Sequence, residues 1–204
     1  MKELGSCLQI IQTLQMKASL YPTKVSVHRR LIPCIGFVIL FLQKKITDEE
    51  AIEIAKILLD FGANVDGDKI KENKDTPLLA AASLHAEQLG IFYIENGADI
   101  HYAGRHDGAT ALHWAAFCGR DKLVEKLIRE KVTIDQRDTS YNSTPLVWAI
   151  QPLMTEDKSN TCHQVSCIKL LLKAGADITT LNSETIQYLQ FLAKDDIELN
   201  KLLN

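Results

Sequence analysis

An all-α fold, a helix–turn–helix repeat solenoid with projecting hairpin loops, is predicted by three observations. Thr76, Thr110 and Thr144 each open an apolar stretch, and they stand 34 residues apart. A fixed period of that size marks a stack in which each unit buries its apolar face only against its neighbours. Apolar pairs four residues apart recur in register: Ile54/Ala55 with Leu58/Leu59, Leu89/Gly90 with Tyr93/Ile94, Leu123/Val124 with Leu127/Ile128, and Cys167/Ile168 with Leu171/Leu172. That spacing puts both pairs on one face of a helix. Behind three of these runs comes a Gly-Ala-Asx stop, at Gly62, Gly97 and Gly175, where glycine can take the left-handed conformation that ends a helix.

The central unit shows how the pattern works. Thr110-Ala111-Leu112-His113-Trp114-Ala115-Ala116 is echoed by Thr76-Pro77-Leu78-Leu79-Ala80-Ala81-Ala82 and by Thr144-Pro145-Leu146-Val147-Trp148-Ala149. Each threonine can cap a helix with its hydroxyl, and Pro77 and Pro145 fall at the first helical position, where a missing N–H costs nothing. The paired alanines keep this first helix thin enough to stack closely. Gly119 ends it, and Asp121 is expected to cap a second helix over 122–129. There the unit departs from its neighbours. Lys131-Val132-Thr133 replaces the glycine stop, and a non-glycine residue at a left-handed cap costs roughly 1 kcal/mol. Between a stop and the next threonine lie roughly ten polar residues, with turn signals at Asp107-Gly108 before Thr110 and Tyr141-Asn142 before Thr144 that suit a projecting hairpin.

The Thr-Pro-Leu-His-x-Ala signature, with a period near that of these units, resembles the ankyrin repeat. The resemblance covers residues 32–204 and is strongest between Asp75 and Ile178. Residues 1–31 do not fit it. Leu4, Leu8, Ile11 and Leu14 fall at helical spacing, so an amphipathic helix over 3–19 is expected to cover the open end of the stack, with Tyr21-Pro22 breaking it. Unit one, 32–75, places its first helix at 33–43 by aligning Pro33 with Pro145. Its second helix, 49–61, follows a capping box of Thr47 and Glu50. Units two and three are 76–109 and 110–143. Unit four, 144–184, carries an inter-helix loop over 151–163 and resumes with a helix over 164–173. A shortened fifth unit, 185–204, holds helices over 185–193 and 196–203, with Asp195 as cap.

Composition excludes several function classes. A net charge of −3 over 204 residues, without a long Lys/Arg run, leaves no electrostatic footprint for nucleic acid. The apolar run over 31–42 is too short for a bilayer, which takes about 20 residues, so no membrane insertion is expected. Five cysteines without framework spacing argue for reduced thiols and a cytoplasmic setting. The catalytic motifs His-Glu-x-x-His, Gly-x-Ser-x-Gly and Gly-x-Gly-x-x-Gly are missing. Gly62 to Lys69 has the glycine spacing of a phosphate loop, but Asp68 stands where the lysine belongs and the loop leaves a helix C-terminus. An enzyme is therefore not expected, nor a cofactor. Cys162-His163 with Cys167 is the one metal-like cluster, three soft ligands without a fourth at standard spacing. A metal- or redox-responsive module using it is the alternative reading. The carboxylate pairs Glu49-Glu50 and Asp195-Asp196 stand at helix starts, where they favour the dipole.

The resemblance implies a non-catalytic protein-binding module, whose hairpin tips and first helices form a concave groove. Carried over position by position, the tips are Glu72, Asn73 and Asp75, then Arg105, His106 and Asp107 flanked by His101 and Tyr102, then Ser140, Tyr141 and Ser143. Phe117, Cys118, Gln151, Ser83 and Leu84 are the first-helix positions. His113 is expected to bond backbone between adjacent hairpins. Trp114 and Trp148 share one register position, either filling space between units or lining the groove. The expected partner is another protein met by a monomer, with adaptor, immunity protein and secreted effector all open.

Overall fold

The computed structural model describes residues 47–67, 75–84, 86–104, 106–155 and 161–203. The expected N-terminal cap and the first helix at 33–43 lie outside them. Among the described residues the chain is helical, with no strand and one isolated antiparallel bridge between Ala103 and Thr110. It forms two compact units, Met1–Asp99 and Ile100–Asn204.

The first unit holds α1 (Asp48–Asp60), α2 (Pro77–Ser83) and α3 (Glu87–Glu95). The expected capping box starts α1: the Glu50 N–H donates to Thr47 Oγ1 at 3.3 Å, and the Thr47 N–H donates to Glu50 Oε2 at 2.9 Å. Thr76 caps α2 in the same way, accepting from the Leu79 N–H at 3.2 Å. Both α1 and α2 pack on α3. The in-register apolar pairs supply the core, with Ile54, Ala55, Leu58, Leu89 and Tyr93 at 2% exposure or less. Polar bonds fix the stacking: Asp48 accepts from the Gln88 N–H at 3.1 Å, and Asp66 from the Asp99 N–H at 2.7 Å.

The second unit runs α4 (Ala111–Phe117), α5 (Asp121–Arg129), α6 (Pro145–Met154), α7 (Thr161–Lys173), a 3-10 turn (Ile178–Thr180), α8 (Ser183–Ala193) and α9 (Ile197–Leu203). Helix α4 packs on α5 and α6, α6 on α7 and α8, and α7 on α5 and α9. Leu112, Leu123, Leu127, Ile150 and Ile168 are fully buried along this seam. The stop after each second helix is one motif. Gly62, Gly97 and Gly175 have φ of 82°, 83° and 92°, and Lys131 takes φ 61° in the same place. In every case this residue's N–H bonds a carbonyl three back and the next N–H one five back, as Lys131 does to Ile128 and Val132 to Leu127. Asp135 accepts from the Asp177 N–H at 3.1 Å, as Asp66 does from Asp99.

Five local expectations need correction. Asp121 is the first residue of α5 and not its cap. The Arg120 N–H closes α4 onto Ala115, so the turn between the helices leaves one residue less than a separate cap needs. The loop expected over 151–163 is shorter, because α6 continues through Pro152 to Met154 and α7 begins at Thr161. Burial of Leu153, 3% exposed, outweighs the lost Pro152 donor. Helix α8 starts two residues before the expected position, with Asn182 capping it through the Thr185 N–H at 2.8 Å, and Asp196, not Asp195, accepts from Glu198 and Leu199 at the head of α9. Thr144 is buried, yet its hydroxyl finds no hydrogen-bond partner.

Candidate functional site: an aromatic pocket beneath two hairpin tips

Helices α4 and α6 bring three large rings together. Trp114 and Phe117 lie three apart on one face of α4, and Trp148 holds the Trp114 register on α6. Their centroids are 5.1 Å apart for Trp114–Trp148, 5.8 Å for Phe117–Trp148 and 6.2 Å for Trp114–Phe117, with planes 72° to 80° apart. Edge-to-face pairs of this kind add about 0.5–1.5 kcal/mol beyond burial. His113 closes the cluster from below, 5.4 Å from Trp148.

The hairpin tips are built by aspartates. Asp107 accepts from the Ala109 N–H at 2.9 Å and turns the first tip. Asp138 organises the second. One carboxylate oxygen accepts from the Ser140 and Tyr141 N–H groups at 2.9 and 2.6 Å, the other from the Ser143 N–H and Trp148 Nε1 at 3.0 Å each. Burial would raise this carboxyl's pKa. The bonds from Tyr141, Trp148, Ser143 and Ser140 outweigh burial and hold it below the usual carboxylate range. The tips are also fastened to each other, the Thr139 N–H donating to the Asp107 carbonyl at 2.7 Å. Gly108 makes this approach possible. It has φ 68°, and a Cβ there would lie 2.7–2.8 Å from Thr139.

Between tips and helices lies an open pocket of about 510 Å³, lined by Asp107, Trp114, Phe117, Ser140, Tyr141, Ser143, Val147, Trp148 and Gln151. Tyr141 is 75% exposed and Phe117 40%, whereas Trp148 is buried at 9%. The indole register therefore packs between α4 and α6 and also lines the pocket.

His113 is fully buried and has the bridging role expected of it. The Thr110 N–H donates to its Nδ1 at 3.0 Å, so that nitrogen carries no proton, and Nε2 donates to the Ser143 carbonyl at 3.2 Å. Burial chiefly lowers the ring's pKa, against the raising effect of that carbonyl and of Asp138 and Asp107.

The structure thus gathers Asp107, Trp114, Phe117, Ser140, Tyr141, Ser143, Trp148 and Gln151 from among the sequence-derived candidates. His101, His106 and Tyr102 stand near the first tip but do not line the pocket, and Asp75 belongs to the other unit. Glu72, Asn73 and Arg105 lie outside the described residues. Val147 and Asp138 are the residues that sequence reasoning missed. Val147 was legible as the neighbour of Trp148 on the same helix. Asp138 carries no local signal beyond its place before a turn.

Of the metal-like cluster, the side chain of Cys162 lies outside the described residues. Cys167 is fully buried on the core face of α7, while the exposed His163 lies 3.6 Å from Asp121. Among the described residues no group of three potential ligands could hold a metal ion, and no helix is long and apolar enough to cross a membrane.

Residues 85–182 match the family described as ankyrin repeats, in three copies. Among curated relatives, the palmitoyltransferase ZDHHC13 of Mus musculus is 33% identical over 131 residues, which is 56% of this chain and 19% of that protein. The palmitoyltransferase ZDHHC17 of Danio rerio is 33% identical over 104 residues, 48% of this chain and 15% of the relative. Ankyrin repeat and SOCS box protein 6 of Mus musculus is 25% identical over 136 residues, 66% and 30% respectively. The chain spans less than a third of the length of each of these relatives.

Proposed function

Since residues 85–182 are ankyrin repeats, commonly a protein-interaction module, we propose that this chain is a non-catalytic binding domain that grips a partner protein in the pocket between α4, α6 and the tips at 107 and 140–143. The observation that carries the reading is the pocket itself, floored by Trp114, Phe117 and Trp148 and walled by Tyr141. Aromatic side chains supply large contact area at small entropic cost and are enriched where interfaces concentrate their energy. Phe117 and Tyr141 are large apolar side chains left exposed at the pocket, which supports a use outside the fold. A cytosolic setting and a monomeric state go with this reading on the sequence grounds given above.

The test is affinity capture from the native host with the full chain, compared with a Phe117→Ala/Tyr141→Ala double variant, both read by mass spectrometry and by thermal unfolding. The expected result is a protein enriched by the parent chain and lost from the double variant, which still unfolds in one cooperative transition, lowered only by the loss of the Phe117 ring pairs. Equal enrichment on both would show that the pocket is not the gripping surface.

A further inference from the structure

We infer that the pocket is a receptor for a guanidinium group, an arginine side chain presented by the partner protein; this rests on the binding reading above. Asp107 is the one charged residue among the described residues that line the pocket. Its carboxylate is held in place by its own turn, through the Ala109 N–H at 2.9 Å, and its carbonyl is tied to Thr139 at 2.7 Å. An ionised carboxylate offers about four acceptor positions, and that bond occupies one.

This decides what can fill the space. An apolar side chain would satisfy the rings but would strip water from Asp107 and leave nothing in its place, which is costly for a charge. An anion would be repelled outright. A cation gains twice, from the carboxylate and from the aromatic rings of Trp114, Trp148, Phe117 and Tyr141 that line the pocket. Between the two cationic side chains the lining favours arginine. Its planar, weakly hydrated group stacks on aromatic rings and engages a carboxylate through two parallel N–H bonds, whereas an ammonium keeps its water shell more tightly. Its remaining donors need acceptors, and Ser140 and Gln151 are polar residues of the same lining.

The chain has two tryptophans, and both line the pocket, so intrinsic fluorescence reads its occupancy directly. Three pentapeptides serve as probes: Gly-Gly-Arg-Gly-Gly, its lysine counterpart, and its citrulline counterpart, which keeps the shape without the charge. The expected result is a saturable response to the arginine peptide, with binding about tenfold or more weaker for citrulline and for the Asp107→Asn chain, and weaker for lysine. Asn at 107 retains a carbonyl oxygen for the Ala109 N–H, and an unchanged melting curve verifies that the tip survives. Equal binding of arginine and citrulline, indifference to Asp107→Asn, lysine matching arginine, or no response to any peptide would each overturn the inference. Its failure is separable from that of the binding reading. A partner that is lost from the Phe117→Ala/Tyr141→Ala chain but captured equally by Asp107→Asn leaves the pocket as the interface and removes only the guanidinium.

Discussion

Single residues set the chain's response to pH and its local strain. His113 is buried and neutral, with its pKa lowered by burial. Below about pH 6.5 the unfolded chain binds a proton there that the folded chain refuses, so stability present above that pH is lost as the pH falls. Urea midpoints measured from pH 7.5 to 5.5 should decline, and the decline should flatten in His113→Gln. Lys131 holds φ 61° with its side chain exposed, at a position where the other units use glycine. Lys131→Gly should raise stability by about 1 kcal/mol, measured as a higher urea midpoint at unchanged slope. That stop was legible in the letters because the neighbouring Gly-Ala-Asx stops define the position. Asp138 was not, because its partner Trp148 arrives ten residues later and only the folded tip brings the indole to the carboxylate.

At the scale of helices, apolar spacing carried most of the information. The second helices fell where their paired positions put them, since burying both pairs on one face leaves little freedom of register. Leu127 is the test of that seam: it is fully buried in α5, and Leu127→Ala should cost about 2–5 kcal/mol through the cavity left behind. Helix ends were harder to read. Pro152 looks like a terminator, yet α6 runs past it because Leu153 has a buried place to go, and the Thr155 hydroxyl bonds the Pro152 carbonyl at 2.8 Å. The last helix depends more on charge. Lys169 meets Asp196 at 2.6 Å and Glu198 at 3.2 Å, and Lys173 also pairs with Glu198, joining α7 to α9. These pairs are partly to half exposed and therefore subject to screening. Hydrogen exchange should quicken over 197–203 in high salt or in Lys169→Met, while the amides of α5 stay protected.

For the molecule as a whole, the period of 34 residues made the architecture readable, and the pocket was readable only in part. Repetition told which residues are equivalent, so the aromatics at 114, 117 and 148 could be placed on first helices. It could not tell that two tips are bonded to each other, because that contact joins segments whose sequences differ. Gly108 is the narrow point of the contact. Gly108→Ala should push Thr139 away, expose the Thr139 amide to rapid exchange, and weaken partner capture even though no lining residue has changed. The bond between Thr139 and Asp107 has one more result. The two tips that border the recess are tied to each other before any visitor comes, so under the proposed binding role little disorder of the tips remains to be quenched on docking, and complex lifetime would be governed by the quality of contact and not by rearrangement.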